Sequence, residues 1–181
     1  MTDWPHAPIH RLSEAGSYMV TASTYRHVPF FNSAEKLDLL HTMLFQIFQE
    51  YDVRLQAWAI FPNHYHFIAL LKDATQLSPA IRRLHSKAAL AVNAIDHAAG
   101  RRVFYQYWDS HTKQQRTFFA RLHYVHANAV HHGIVKQPEN YRWCSAAWFE
   151  RNASPAFRKT VYGYPIDLLK VKDDFIVEAV E

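Results

Sequence analysis

The chain has 181 residues, 49% hydrophobic and 15% aromatic, which is enough apolar matter for one packed core and excludes a disordered chain. Twenty Lys and Arg against sixteen Asp and Glu give a formal charge of +4, which favours a polyanionic partner. Cys144 is the single cysteine, so no intrachain disulfide forms, and no apolar run approaches the ~18 residues of a membrane helix; a reducing, cytoplasmic setting is expected.

In chain order, residues 1–11 hold Pro5, Pro8 and charges where a secretory leader would place an apolar core, so no leader is expected. Residues 18–24, YMVTAST, follow Gly16 and are dense in strand formers, predicting a first strand. Asn32 or Ser33 then caps a helix in which Leu37, Leu40, Met43, Leu44 and Ile47 recur at three- and four-residue steps to about Tyr51. Residues 53–61 and 66–71 predict two strands, with Pro62-Asn63 supplying the turn between them. Ser78-Pro79 has the form of an N-cap followed by proline at the first helical position, opening a second long helix that ends near Gly100. Residues 103–108 give a fourth strand, and 113–131 a third helix stopped by Gly133. Beyond residue 150, Pro155 and Gly163-Tyr164-Pro165 interrupt the pattern, so a domain over 1–150 followed by a tail over 151–181 is expected.

The order β-α-β-β-α-β-α predicts an α+β, ferredoxin-like (RRM-like) fold: a four-stranded antiparallel sheet with both long helices on one face. The additional helix, which carries Tyr124, then lies against the free face.

His64 and His66 flank Tyr65, and a spacing of two in a strand puts both imidazoles on one face. Two convergent imidazoles suggest a metal, although a chain with thirteen histidines can hold such a pair by chance. A structural zinc site wants four ligands. With one thiol, and no further histidines at suitable spacings, a harder ion such as Mg2+ or Mn2+ fits better, its shell finished by an amide or carboxylate oxygen and by water or phosphate.

In the helix over 113–131, Phe118, Leu122, Val125 and Ala129 form a narrow apolar stripe suited to packing. Tyr124 and Asn128 fall off that stripe, four residues apart on one face, with Arg121 beside them. A phenol with its ordinary pKa near 10 is a poor nucleophile and needs a cation or base nearby. Singly, His64, His66 and Tyr124 each read more readily as structural; together they describe a metal-assisted nucleophile. Basic side chains surround them: Arg82, Arg83, Lys87, Arg101, Arg102, Lys113, Arg116 and Arg121, opposed in that stretch by Asp96 and Asp109.

Phe61-Pro62-Asn63-His64-Tyr65-His66-Phe67 resembles the HUH motif of the single-tyrosine insertion-sequence transposases. Tyr124-Val125-His126-Ala127-Asn128-Ala129-Val130-His131-His132-Gly133-Ile134-Val135 resembles the tyrosine segment of their REP-associated branch, and the similarity runs on through Pro138-Glu139-Asn140-Tyr141-Arg142-Trp143-Cys144-Ser145. The resemblance implies an HUH nuclease acting on single-stranded DNA hairpins of repetitive palindromic elements. It implies a divalent metal, Mg2+ or Mn2+, on His64 and His66 with Asn128 as third ligand, and Tyr124 as a nucleophile that forms a 5′-phosphotyrosine link. Strand transfer is the reverse attack by a 3′-hydroxyl, with no nucleotide cofactor. Arg82, Arg83, Lys87, Arg101, Arg102, Arg116, Arg121 and Arg142 become candidate DNA contacts, and Tyr105, Tyr107 and Trp108 candidate stacking platforms.

Two departures stand out. The family's Asn-Pro-Val-Lys reads Asn128-Ala129-Val130-His131, which removes a helix-ending proline and a charge, and the usual Trp-Gln pair of the fourth strand is replaced by Tyr105-Gln106 with Trp108. A domesticated hairpin-binding protein that does not cut, and a small structural zinc protein, are the competing expectations. A monomer and a homodimer both fit, and no membrane partner is expected.

Overall fold

The computed structural model describes residues 12, 14–167, 169, 171, 173 and 175–180; the absence of a leader expected over 1–11 falls outside them. Four strands, β1 (Gly16–Thr24), β2 (Arg54–Ile60), β3 (His64–Leu71) and β4 (Phe104–Thr112), form one antiparallel sheet in the order β2-β3-β1-β4. Helices α1 (Ala34–Glu50) and α2 (Leu77–Ile95) lie on one face. Helix α3 (Gln115–His131) packs against β2 and β3 on the other. This is the expected ferredoxin-like α+β arrangement.

The α1/α2 face is a conventional core. Leu37, Leu40, Leu44, Ile47 and Phe48 of α1 and Ile81, Leu84, Ala88 and Val92 of α2 are each at most 2% exposed. They meet Val20, Ala22 and Phe67 of the sheet, with Phe48 set edge-on to Phe67 at 4.9 Å. Burying each large side chain contributes about 1.5–3 kcal/mol, so this layer supplies most of the driving force for folding.

Local chemistry sets the element ends. Ser33 caps α1 by accepting from the Lys36 backbone N–H. The expected Ser78 cap of α2 is not formed. A 3-10 turn over Ala74–Gln76, capped by Asp73, runs straight into Leu77, and the Ser78 hydroxyl bonds the Tyr107 hydroxyl at 2.5 Å instead. Tertiary pairing competed with the local cap and won. β4 runs four residues past its expected end because the polar 109–112 segment pairs with β1 from Asp109 to Thr112. α3 stops at Gly133, whose φ of 70° is a left-handed conformation that closes the last turn on Val130 and Ala129.

The 138–145 segment covers the outer edge of β2. Ile60 donates to Trp143 O, Ser145 bonds both the N–H and the carbonyl of Trp58, and Tyr141 OH reaches Ile60 O at 2.8 Å. An edge that would otherwise invite strand pairing is thereby closed. Two short helices follow, α4 (Ala146–Asn152) and α5 (Pro155–Tyr162), and α5 packs on α3. No helix is long and apolar enough to cross a membrane among the described residues.

Candidate metal centre and nucleophile

The Pro62-Asn63 turn delivers the chain into β3 with His64 and His66 facing α3 and Tyr65 facing α2. Both imidazoles are buried, at 2% and 0% exposed. Each is fixed from behind. Asn63 Nδ2 donates to the carbonyl of Ile176, so its Oδ1 is left to accept from His64 Nδ1 at 2.9 Å. That places the His64 proton on Nδ1 and leaves Nε2 with a lone pair aimed at α3. Thr21, paired with His66 in the β1–β3 register, holds His66 Nδ1 at 2.8 Å, and His66 Nε2 likewise faces α3. Burial, then the neighbouring His66, keep the His64 pKa well below the usual value, so the ring is neutral.

From α3, Tyr124 sets its ring edge-on to His66 at 5.4 Å, and Asn128 lies one turn further along, fully buried. The structure therefore brings together His64, His66, Tyr124 and Asn128, the four residues expected to carry chemistry. It adds two that sequence reasoning missed. Asp173 sets its carboxylate among them: Oδ1 is 3.6 Å from His64 Nε2 and 3.1 Å from His132 Nε2, and Oδ2 is 3.5 Å from His66 Nε2. Oδ2 also accepts from the Tyr124 hydroxyl and from Asn128 Nδ2 at 2.6 Å.

Although burial would raise the Asp173 pKa, the close approach of the His132 and His66 imidazoles and the hydrogen bond from Tyr124 hold it far below the carboxylate range. The reverse applies to Tyr124, where burial and the adjacent carboxylate both push the phenol well above 10. Phe61 and Phe175 sandwich His64 at 4.6 and 4.3 Å, so Phe175 covers the centre.

A divalent cation fits this donor set. The ligand atoms of His64, His66 and Asp173 all lie within 4.8 Å of one another. Nε2 of His64, His66 and His132, Asn128 Oδ1 and Asp173 Oδ1 are buried without an aligned hydrogen-bond partner among the described residues. Each such atom costs about 1–3 kcal/mol, and lone pairs facing an ionised carboxylate lack the positive charge a metal brings.

The expected DNA-contacting residues are dispersed. Arg82, Arg83 and Lys87 are exposed on α2, across the sheet from the histidines. Arg101 is engaged by Asp96 and Asn93, and Arg142 pairs with Asp38 at 2.7 Å. Arg102 lies over Tyr25 and Tyr105. Arg116 and Arg121 lie on α3, ahead of Tyr124 in the helix. With Thr21, Trp108, Gln114 and Tyr164 they line a cavity of about 710 Å³ between β1, β4, α3 and the side chains of Pro165, Leu169 and Val171. Arg121 does not reach the tyrosine; it bonds Ser110 O and Thr112 Oγ1 on β4. Of the expected stacking aromatics, Trp108 lines this cavity, whereas Tyr107 is buried on the α2 side against Ser78.

A family model described as IS200-like transposase matches residues 14–137. Among solved structures, a REP-associated tyrosine transposase bound to a REP hairpin aligns over 100% of this chain and 99% of its own, with a TM-score of 0.63 and 18% identity. A candidate transposase from Deinococcus radiodurans R1 covers 66% of this chain and 95% of its own, with a TM-score of 0.46 and 15% identity. No curated protein sequence matches.

Proposed function

The chain belongs to the IS200-like transposase family, and from that premise we propose that it nicks and rejoins single-stranded DNA at hairpins of repetitive palindromic elements, with Tyr124 as nucleophile. The observation that carries the reading is the convergence of the Tyr124 hydroxyl and the unpartnered Nε2 atoms of His64 and His66 on one carboxylate. The relative that spans the full chain was solved with a REP hairpin, which supports the choice of substrate.

His64, His66 and Asn128 Oδ1 would hold the ion, Mg2+ or Mn2+. When bound, it would polarise the scissile phosphate and stabilise the charge gained on its oxygens. The residues of the chain do the rest. The Tyr124 oxygen attacks phosphorus and loses its proton. The bond to the 3′-oxygen breaks, that oxygen takes up a proton and leaves as the free 3′-hydroxyl of the upstream segment, and the downstream segment remains on the tyrosine through its 5′-phosphate. Attack by a 3′-hydroxyl reverses each change and restores a continuous strand, so no nucleotide cofactor enters.

As arranged, Tyr124 is held protonated by burial and by Asp173, and is 8% exposed. A phosphodiester reaches it only when the Asp173 carboxylate withdraws, which removes the like charge and frees the hydroxyl. Thr21 ties His66 to the cavity that Arg116 and Arg121 border, so that cavity provides the approach for the unpaired strand, with Trp108 as a stacking surface.

The same Asp173 contact favours a second reading, a hairpin-binding protein that does not cut. A labelled hairpin with single-stranded flanks separates the two. A covalent protein–DNA adduct with Mg2+ or Mn2+ that disappears in Tyr124→Phe supports the transferase; hairpin binding that survives chelation, without cleavage of any such hairpin, supports the second reading.

A further inference from the structure

We propose that His132 is a third imidazole ligand of this centre, so that the site binds nitrogen-accepting transition ions ahead of Mg2+; the inference rests on the metal reading above. His132 follows Asn128 by four residues and Tyr124 by eight, so the end of α3 carries all three on one face. Its side chain is 5% exposed, and its Nε2 is 3.1 Å from Asp173 Oδ1, closer than the 3.6 and 3.5 Å of His64 and His66 to that carboxylate. Phe61 at 5.2 Å and the His64 ring at 5.0 Å, both edge-on, confine it. Among the described residues Nε2 has no aligned hydrogen-bond partner, the condition it shares with the other two imidazoles of the centre.

Ligand chemistry sets the consequence. Mg2+ takes oxygen ligands and gives up water reluctantly, whereas imidazole nitrogens suit borderline ions such as Co2+ and Zn2+. Two imidazoles with amide and carboxylate oxygens form a mixed set; three tilt it to nitrogen and approach the three-histidine pattern of sites that keep a position open for water or substrate. The competing role for His132 is that of an imidazolium paired with Asp173. A fixed positive charge there would oppose a cation, so removing it would strengthen metal binding or leave it unchanged.

The test is calorimetric titration of the metal-stripped full-length chain with ZnCl2, CoCl2 and MgCl2, for the wild type, His132→Ala, His132→Asn and His66→Ala, with the visible Co2+ spectrum as a second readout. Losing an outer-shell partner of a metal site already weakens binding 10–100-fold, so the loss of a direct imidazole in His132→Ala is expected to weaken Zn2+ and Co2+ by at least about tenfold. Mg2+ affinity should change by less than about twofold on the same oxygen-preference argument, and the Co2+ spectrum should change. His132→Asn retains a polar group at the helix end and guards against a folding defect, with circular dichroism confirming the fold. Unchanged or tighter Zn2+ and Co2+ binding in both His132 variants, alongside loss of binding in His66→Ala, overturns the proposal for His132 alone. Unchanged binding in His66→Ala overturns the metal reading beneath it.

Discussion

Two histidines on opposite sides of one sheet, half-buried His85 and buried His64, are both kept neutral by burial and have opposite chemistry. His85, on the sheet-facing side of α2, has its Nε2 bonded to the Tyr65 hydroxyl at 2.7 Å and its ring stacked on Phe104 at 4.0 Å; burial alone brings its pKa down to about 3. His64, also neutral through burial, is bonded from behind and leaves Nε2 facing His66, His132, Tyr124, Asn128 and Asp173. Tyr65 links the two faces: the side chain between the paired histidines completes the structural one. His126 is a third case, with both ring nitrogens unpartnered among the described residues but set against Phe149 and Tyr162. Burial therefore does not mark a functional histidine, and neither does an unpartnered nitrogen by itself. Several unpartnered polar atoms pointing at one place do.

The largest effect that would sharpen this contrast is at the convergent face. His66→Ala, or chelation of the wild type, is expected to lower adduct formation by at least about a hundredfold, the scale on which one electrostatic contributor to a transition state is lost. A gel assay of the covalent adduct checks it, and wild-type yields after chelation would break the contrast. Asp173→Ala should act in the opposite sense. Freeing the Tyr124 hydroxyl and uncovering the centre raises the competent fraction, with adduct formation rising by about tenfold in the same assay. A fall would show instead that the carboxylate is needed as a ligand.

On the other face the effects belong to stability. His85→Phe keeps a ring against Phe104 but leaves the Tyr65 hydroxyl unbonded, and should cost about 1–3 kcal/mol. Thermal melting should show a loss of roughly 5 °C, with metal affinity unchanged. The smallest effect concerns pH. His126 has a folded pKa brought down to about 3 by burial, then by His123, from an ordinary 6.5. The unfolded chain therefore takes up the proton first, and stability that is complete above pH 6.5 drains away as pH falls towards 3. His126→Phe removes that share, so its melting temperature should fall less steeply with acid than that of the wild type.

Most of the frame could be read from the chain because periodicity and turn residues agree with the tertiary structure. The α1 stripe, the Pro62-Asn63 turn and the Gly133 stop are local signals that packing did not override. Strand spacing put His64 and His66 on one face, and helix spacing stacked Tyr124 and Asn128. What escaped was non-local. Ser78 exchanged its cap for Tyr107, and β4 was lengthened by pairing with β1. Asp173 arrives from 45 residues beyond Asn128 with no motif to announce it. His132 lies within the tyrosine segment, yet its relation to His64 depends on how α3 crosses the sheet, which no spacing along the chain encodes. The basic residues that seemed one cluster in the chain are divided by the sheet, leaving Arg116 and Arg121 on the α3 side, in the cavity that Thr21 also lines.

The most direct test of the central claim is mass-spectrometric mapping of the covalent adduct formed between the full-length chain and a single-stranded hairpin substrate in Mn2+. The account predicts that the nucleotide-bearing peptide contains Tyr124, linked through a 5′-phosphate, and that Tyr124→Phe yields none. An adduct on another residue, or one undiminished in Tyr124→Phe, would contradict it.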